Sequence, residues 1–183
     1  MALAIAAMIA LGVSSLLYGM ANGTKDRQEL RRRNAKAEVL AHRLDTAIRS
    51  SAMLLGRDGN AMVFWVSDAN GNETPNLSEL LRIEWDPATK EIRGYRAPST
   101  LAPAADIAYN AATTDFLTVT AGLAGGASFP RETWGRGVQA WESGPAASSQ
   151  GTRLVHYAMT LEFTDAAPAT VRSAVALRGL NGF

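Results

Sequence analysis

The first 24 residues of the chain are almost entirely apolar and carry no charge. Between residues 1 and 20, only four residues lie outside the hydrophobic set: Gly12, Ser14, Ser15 and Gly19. A helix rises about 1.5 Å per residue, so this segment would span roughly 36 Å, more than the ~30 Å hydrocarbon core of a bilayer. The pattern therefore predicts a transmembrane or filament-core helix over residues 1–24.

Two other interpretations fit part of this pattern. A cleaved secretory signal has a basic start and an apolar run of only ~7–15 residues, whereas this run is longer and has no basic start. A core helix of a globular domain has a polar face, which two serines are too few to form. We favour the membrane or filament-core interpretation and predict that seven large apolar residues serve helix assembly: Leu3, Ile5, Ile9, Leu11, Val13, Leu16 and Leu17.

Residues 25–57 have the apolar spacing of an amphipathic helix. Between Lys25 and Leu55 there is no proline or glycine, and apolar or small residues recur every three, four or seven positions: Leu30, Ala37, Leu40, Leu44, Ala47, Ile48, Ser51 and Leu55. This periodicity predicts a helix that continues the first and ends near Gly56 and Gly59. The segment has nine basic and four acidic residues. Basic residues after an apolar span ordinarily contact lipid head groups or water, so we do not expect nucleic-acid binding.

Residues 58–183 have the pattern of an antiparallel sheet with one solvated face. Apolar alternation is clearest at 154–163 and 170–177, and Asp86 to Lys90 supplies a turn between strands at 80–85 and 92–96. Further strands are predicted at 61–66, 116–121 and 138–141, with a long glycine-rich loop over 122–151. The aromatic residues Phe129, Trp134 and Trp141 are expected to cover a sheet edge rather than to form a partner-binding patch.

The amino-acid composition excludes several kinds of functional site. The 183 residues include no cysteine and two histidines, 47% are hydrophobic, and the net charge is +1. A disulfide scaffold and a thiol-ligated metal site are excluded. His42 and His156 are too far apart in sequence for a histidine metal motif, and a mid-strand His156 is typical of a structural residue. We can name no set of acid, base and nucleophile, so we predict neither catalytic residues nor an enzyme, and no cofactor apart from the calcium alternative below.

Oxygen-bearing side chains between Asp68 and Glu79 have part of the spacing of a calcium loop. Asp68, Asn70, Asn72 and Glu79 occupy the first, third, fifth and twelfth positions, where an EF-hand-type loop places its ligands. Glu73 stands where the turn glycine belongs, and two of the ligands are neutral amides. The sequence favours a turn-forming loop, with a weak calcium site as the alternative.

The order of these segments resembles the type IV pilin and type II secretion pseudopilin family, especially its minor pseudopilins. The resemblance is carried by LAIAAMIALGVSSLLY (residues 3–18), by LAHRLDTAIRSSAMLL (residues 40–55), and more loosely by the closing MTLEF and VRSAVALRGLN segments. The family's basic leader and cleavage motif do not precede Met1, so we expect that motif to lie upstream of this sequence.

This resemblance implies an α+β, pilin-like fold in which a long N-terminal helix, apolar then amphipathic, packs on an antiparallel sheet. It also implies a structural subunit of a type IV filament or type II secretion-like system, assembling through its N-terminal helix with other pilin or pseudopilin subunits. The chain would sit in the bacterial inner membrane, contact its lipid, and carry its C-terminal domain outside the cytoplasm. The alternative is a signal-anchored extracytoplasmic binding module whose 122–151 loop receives a ligand.

Overall fold

The computed structural model describes residues 30–144, 152–163 and 166–179. The chain divides into two compact units, Met1–Glu38 and Val39–Phe183. The predicted apolar helix over residues 1–24, with its seven assembly residues, lies outside the described residues. Within the described ranges, no helix is long and apolar enough to cross a lipid bilayer.

Helix α1 covers residues 30–49 and is amphipathic. The apolar residues predicted for its stripe are buried in its second half: Leu40 is 2% exposed, and Leu44 and Ile48 are fully buried. At the end of the helix, the hydroxyls of two serines form hydrogen bonds with a backbone carbonyl of the last turn. The hydroxyls of Ser50 and Ser51 donate to the Ala47 carbonyl at 2.9 and 2.8 Å. Strand β1 (Met53–Arg57) begins four residues after the end of the helix, so the helix does not continue to residue 57.

The first sheet has five antiparallel strands in the order β1-β2-β3-β4-β5. After β1 come β2 (Ala61–Trp65), β3 (Leu80–Asp86), β4 (Glu91–Arg96) and β5 (Arg131–Arg136). The predicted β3–β4 hairpin is confirmed, with Ile83 opposite Gly94. The Asp86 carboxylate accepts the Ala88 amide at 2.9 Å within the turn, as aspartate commonly does there. Strand β5 lies within the segment that the sequence predicted to be a loop.

The second sheet has three antiparallel strands in the order β6-β7-β8. They are β6 (Val138–Gly144), β7 (Leu154–Phe163) and β8 (Ala166–Ala176). The predicted alternation is confirmed on β7, where Val155, Tyr157, Met159 and Leu161 are buried and His156 is exposed. The first sheet leads directly into the second through Gly137, whose φ of 80° suits glycine. The Trp85 indole donates to the Val138 carbonyl at 2.9 Å across this junction.

Helix α2 (Phe116–Leu123) replaces the strand predicted at 116–121. Its N-cap is Asp115, whose carboxylate accepts the amides of Leu117 and Thr118 at 3.1 and 3.2 Å. The hydrogen bond from the Thr118 hydroxyl holds the pKa of Asp115 below its usual value. Arg82 on β3 is buried and donates to the Leu117 carbonyl at 3.1 Å. The local Asp115 cap and the tertiary contact with Arg82 together outweigh the β-propensity of the β-branched residues.

The predicted fold class is therefore wrong. The prediction was a long N-terminal helix, apolar then amphipathic, packed on one antiparallel sheet. The described residues instead contain helix α1 over 30–49, the short helix α2 and eight strands divided between two antiparallel sheets. The physical reason lies at residues 50–57, where the serine hydroxyls bond the last turn of the helix and Leu55, predicted to lie on the helical stripe, lies in β1 beside the buried Leu54.

Candidate functional site

The side chains of the four predicted calcium ligands make separate contacts within the protein. Asp68, Asn70 and Asn72 lie in the loop after β2, and their side-chain oxygens accept backbone amides of that loop. Asp68 accepts the amides of Asn72 and Glu73 at 3.1 and 2.9 Å, and Asn72 accepts the Thr74 amide at 2.9 Å. Glu73 adopts a positive φ of 57°, in the position where the calcium loop has its glycine. This is the hydrogen bonding of a turn-forming loop.

Glu79, the fourth candidate ligand, is directed into the protein. It is 3% exposed and lies on a single 3-10 turn (Leu77–Glu79) that precedes β3. Its carboxylate accepts the Trp65 indole at 3.0 Å and the amides of Ala69 and Asn76 at 2.6 and 3.1 Å. Three N–H donors satisfy a buried carboxylate, which anchors both ends of the loop. Among the described residues, no group of three or more histidines and carboxylates could hold a metal ion.

A cluster of hydrogen-bonded polar side chains in the second unit joins α1 to the second sheet. One Asp45 carboxylate oxygen accepts the Tyr157 hydroxyl at 2.8 Å and the Ser173 hydroxyl at 2.9 Å. The Tyr157 hydroxyl also lies 3.1 Å from the Ala41 carbonyl oxygen. Burial of the phenol, reinforced by the Asp45 carboxylate, raises the pKa of Tyr157 above its usual value. We call Asp45, Tyr157 and Ser173 the α1 clasp.

A second contact holds α1 to the first sheet. The Arg43 guanidinium lies 4.8 Å from the centre of the Trp134 ring and pairs with Glu132, and this ion pair lowers the pKa of Glu132. On its other side, the Trp134 indole occupies the space above Gly94 where a Cβ would stand. Glycine is required there because the ring packs directly on the backbone of β4. Trp134 thus covers a sheet face, not an edge.

The other aromatic residues of the predicted loop are core residues. Phe129 is fully buried and stacks on Tyr95 with a centroid distance of 6.3 Å, and Trp141 is 6% exposed and stacks on Tyr157 at 5.5 Å. They lie beside different sheets and form no common surface patch. No local pattern in the sequence predicts the α1 clasp, because Asp45 and Ser173 are 128 positions apart.

The outer face of the second sheet carries an open groove of about 490 Å³. The small side chains of Ala158 and Ala174 line the bottom of the groove. Its charged side chains are Glu142 on β6 and Arg172 on β8. The His156 ring lies over Gly144, where a Cβ would meet it. His156 therefore packs on the neighbouring strand at this face, consistent with the structural role predicted for it.

Comparisons with protein-family models, with curated proteins and with solved structures found no match to this chain.

Proposed function

We propose that the chain is a structural subunit of the minor pilin or pseudopilin type, in a type IV filament or type II secretion-like system. The apolar residues 1–24 assemble with like segments of other subunits, and the two-sheet domain is displayed outside the inner membrane. The chain acts by assembly, without a catalytic step. The element that assembles is the apolar sequence of residues 1–24, whatever the length of the helix that follows it.

The observation that carries the proposal is the docking of the second half of α1 on both sheets. The apolar stripe of α1 is buried at Leu40, Leu44 and Ile48. On either side of it, the helix is held by the hydrogen bonds of Asp45 and the ion pair of Arg43. A helix held by core packing and by two polar contacts belongs to the folded domain and differs from a flexible tether. The second half of α1 is therefore part of the folded domain, and the apolar segment precedes this helix in the sequence.

The charge pattern supports the proposed location. Residues 1–24 carry no charge, and a basic cluster including Arg31, Arg32 and Arg33 follows. Basic side chains of this kind bind the head groups of anionic lipids. The proposed partners are therefore other pilin or pseudopilin subunits and inner-membrane lipid.

Single-cysteine crosslinking tests the proposal cleanly because the chain has no cysteine of its own. Cysteines are introduced one at a time over residues 2–19 of the full chain in its native membrane, and crosslinked partners are identified by mass spectrometry. We expect a repeating subset of positions, spaced by about 3.6 residues, to capture subunits with a similar apolar segment. Ser99→Cys, on a surface loop of the domain, is the matched control.

The alternative is an anchored binding module, in which the apolar segment has no specific neighbours. Crosslinking that is uniform along residues 2–19, or no stronger than that of the Ser99→Cys control, would favour this alternative and contradict the proposed function.

A further inference from the structure

Strand β8 has one backbone edge that pairs with no other strand in the part of the chain that the structure describes. It is an edge strand of the second sheet, and β7 pairs with it from Ala166 to Ala176. On the opposite edge, no backbone group of β8 makes a hydrogen bond within the described residues. Half of the amides and carbonyls of an 11-residue strand therefore point away from the sheet.

The other sheet edges have features that block strand addition, which natural edge strands commonly use. Strand β5 carries charged side chains, including the Glu132 that pairs with Arg43. Strand β1 is five residues long and has an irregular register near Gly56. The edge of β6 is contacted by Arg57, whose guanidinium donates to the Ser143 hydroxyl at 3.1 Å.

Strand β8 has little of this protection. Arg172 is its single charged residue, and most of its side chains are small. Its one blocking feature, Pro168, has no amide hydrogen and lies near the start of the strand. The stretch from residue 169 onward is left as a long, nearly neutral edge of the kind that accepts another strand.

The residue pattern of β8 complements itself in the antiparallel direction. A two-fold axis at Arg172 would place two guanidinium groups opposite each other, which is unfavourable. An axis at Ser173 places Arg172 opposite Ala174, Val171 opposite Val175 and Thr170 opposite Ala176. It also keeps Pro168 outside the paired region. The Asp45 carboxylate above Ser173 already accepts two hydroxyl hydrogen bonds within its own chain, which disperse its charge near the axis.

We propose that β8 pairs with β8 of a second copy of this chain, antiparallel and about a two-fold axis at Ser173. The two three-stranded sheets then form one continuous sheet of six strands. Two-fold contacts of this kind close on themselves, so the domains form pairs and no open chain. This contact is independent of the assembly proposed for residues 1–24.

Disulfide formation in the full chain, in detergent micelles, tests both the pairing and its register. Residues opposite each other across an antiparallel pair approach closely enough for a disulfide, whereas diagonal residues do not. Ser173→Cys should therefore give a disulfide-linked dimer under mild oxidation. Ala174→Cys is one position away and more exposed, but it should crosslink at least about tenfold more slowly.

A charge substitution tests the same contact without cysteine. Ala174→Lys places a lysine opposite Arg172 of the second copy and should weaken dimerisation about tenfold by sedimentation in micelles. Thr160→Lys adds the same charge to the same face of the central strand β7 and should leave dimerisation unchanged.

Equal crosslinking of the two cysteine variants, or equal effects of the two lysine substitutions, would each overturn the proposal. A failure here leaves the crosslinks of residues 2–19 unaffected, so the two proposals fail separately.

Discussion

Removing the Asp45 carboxylate should uncouple α1 from the second sheet at a measurable cost in stability. In Asp45→Ala, the hydroxyls of Tyr157 and Ser173 lose their acceptor. A hydrogen bond to a charged group contributes about 1.5–3 kcal/mol, and the partial exposure of Asp45 places these two near or below the lower end. The Tyr157 hydroxyl retains the Ala41 carbonyl as a partner. We therefore expect a loss of about 2–3 kcal/mol in the free energy of unfolding.

The assay is urea unfolding of the full chain in detergent, followed by tryptophan fluorescence. All four tryptophans lie between residues 65 and 141, so the transition reports on the domain. With a urea dependence of ~1–3 kcal/mol per M, the midpoint should fall by about 1 M or more. Thr46→Ala removes a hydroxyl from the same helical turn whose hydrogen bond with His42 Nδ1, at 2.9 Å, is exposed to solvent, and it should change the free energy by less than about 0.5 kcal/mol.

A double-mutant cycle isolates the contact between helix and strand. Asp45→Ala and Ser173→Ala should show a coupling energy of about 1 kcal/mol, because each substitution removes the same hydrogen bond. Additive effects, or a loss below about 0.5 kcal/mol in Asp45→Ala, would show that α1 is not held on the second sheet by this carboxylate.

Three further predictions concern packing and pH, measured by the same unfolding assay. Leu44→Ala should cost about 2–5 kcal/mol because its side chain is fully buried, whereas Val39→Ala on the exposed side of α1 should cost under about 0.5 kcal/mol. Gly94→Ala should cost about 1–3 kcal/mol, because the new methyl group displaces the Trp134 ring. Burial raises the pKa of Tyr157 in the folded chain, so the folded state favours the neutral phenol. The stability that this preference contributes is fully present below pH about 10 and is lost as the pH rises further. In Tyr157→Phe this alkaline loss of stability should be absent. Equal costs for the two α1 variants, an unchanged Gly94→Ala variant, or identical alkaline profiles would contradict the respective arguments.

The sequence predicted the elements whose signals are local. The β3–β4 hairpin has its turn residues, β7 has strict alternation, and the second half of α1 has its apolar stripe. Helix α2 was missed because the β-branched residues between Phe116 and Ala121 favoured a strand over the local N-cap signal of Asp115, and because its contact with Arg82 comes from a distant strand. Strand β5 was missed because its charged residues resemble a loop and its pairing with β4 is not a local signal.

The candidate sites show the same division. Side-chain spacing identified Asp68, Asn70 and Asn72 as one loop, but it could not show that Glu79 is directed towards Trp65. The α1 clasp joins residues from α1, β7 and β8, and no sequence interval connects them. Pairwise contacts between distant segments follow from topology, which periodicity alone does not specify.

The central claim is that residues 1–24 assemble, and do not merely anchor the chain. The most direct measurement replaces them with an unrelated transmembrane segment of equal length and follows incorporation into the native assembly by co-purification with other subunits. We predict that the exchanged chain stays in the membrane, retains the urea midpoint of its domain, and no longer co-purifies. Undiminished co-purification of a folded, membrane-bound chain would contradict the claim, because the segment would then act only as an anchor.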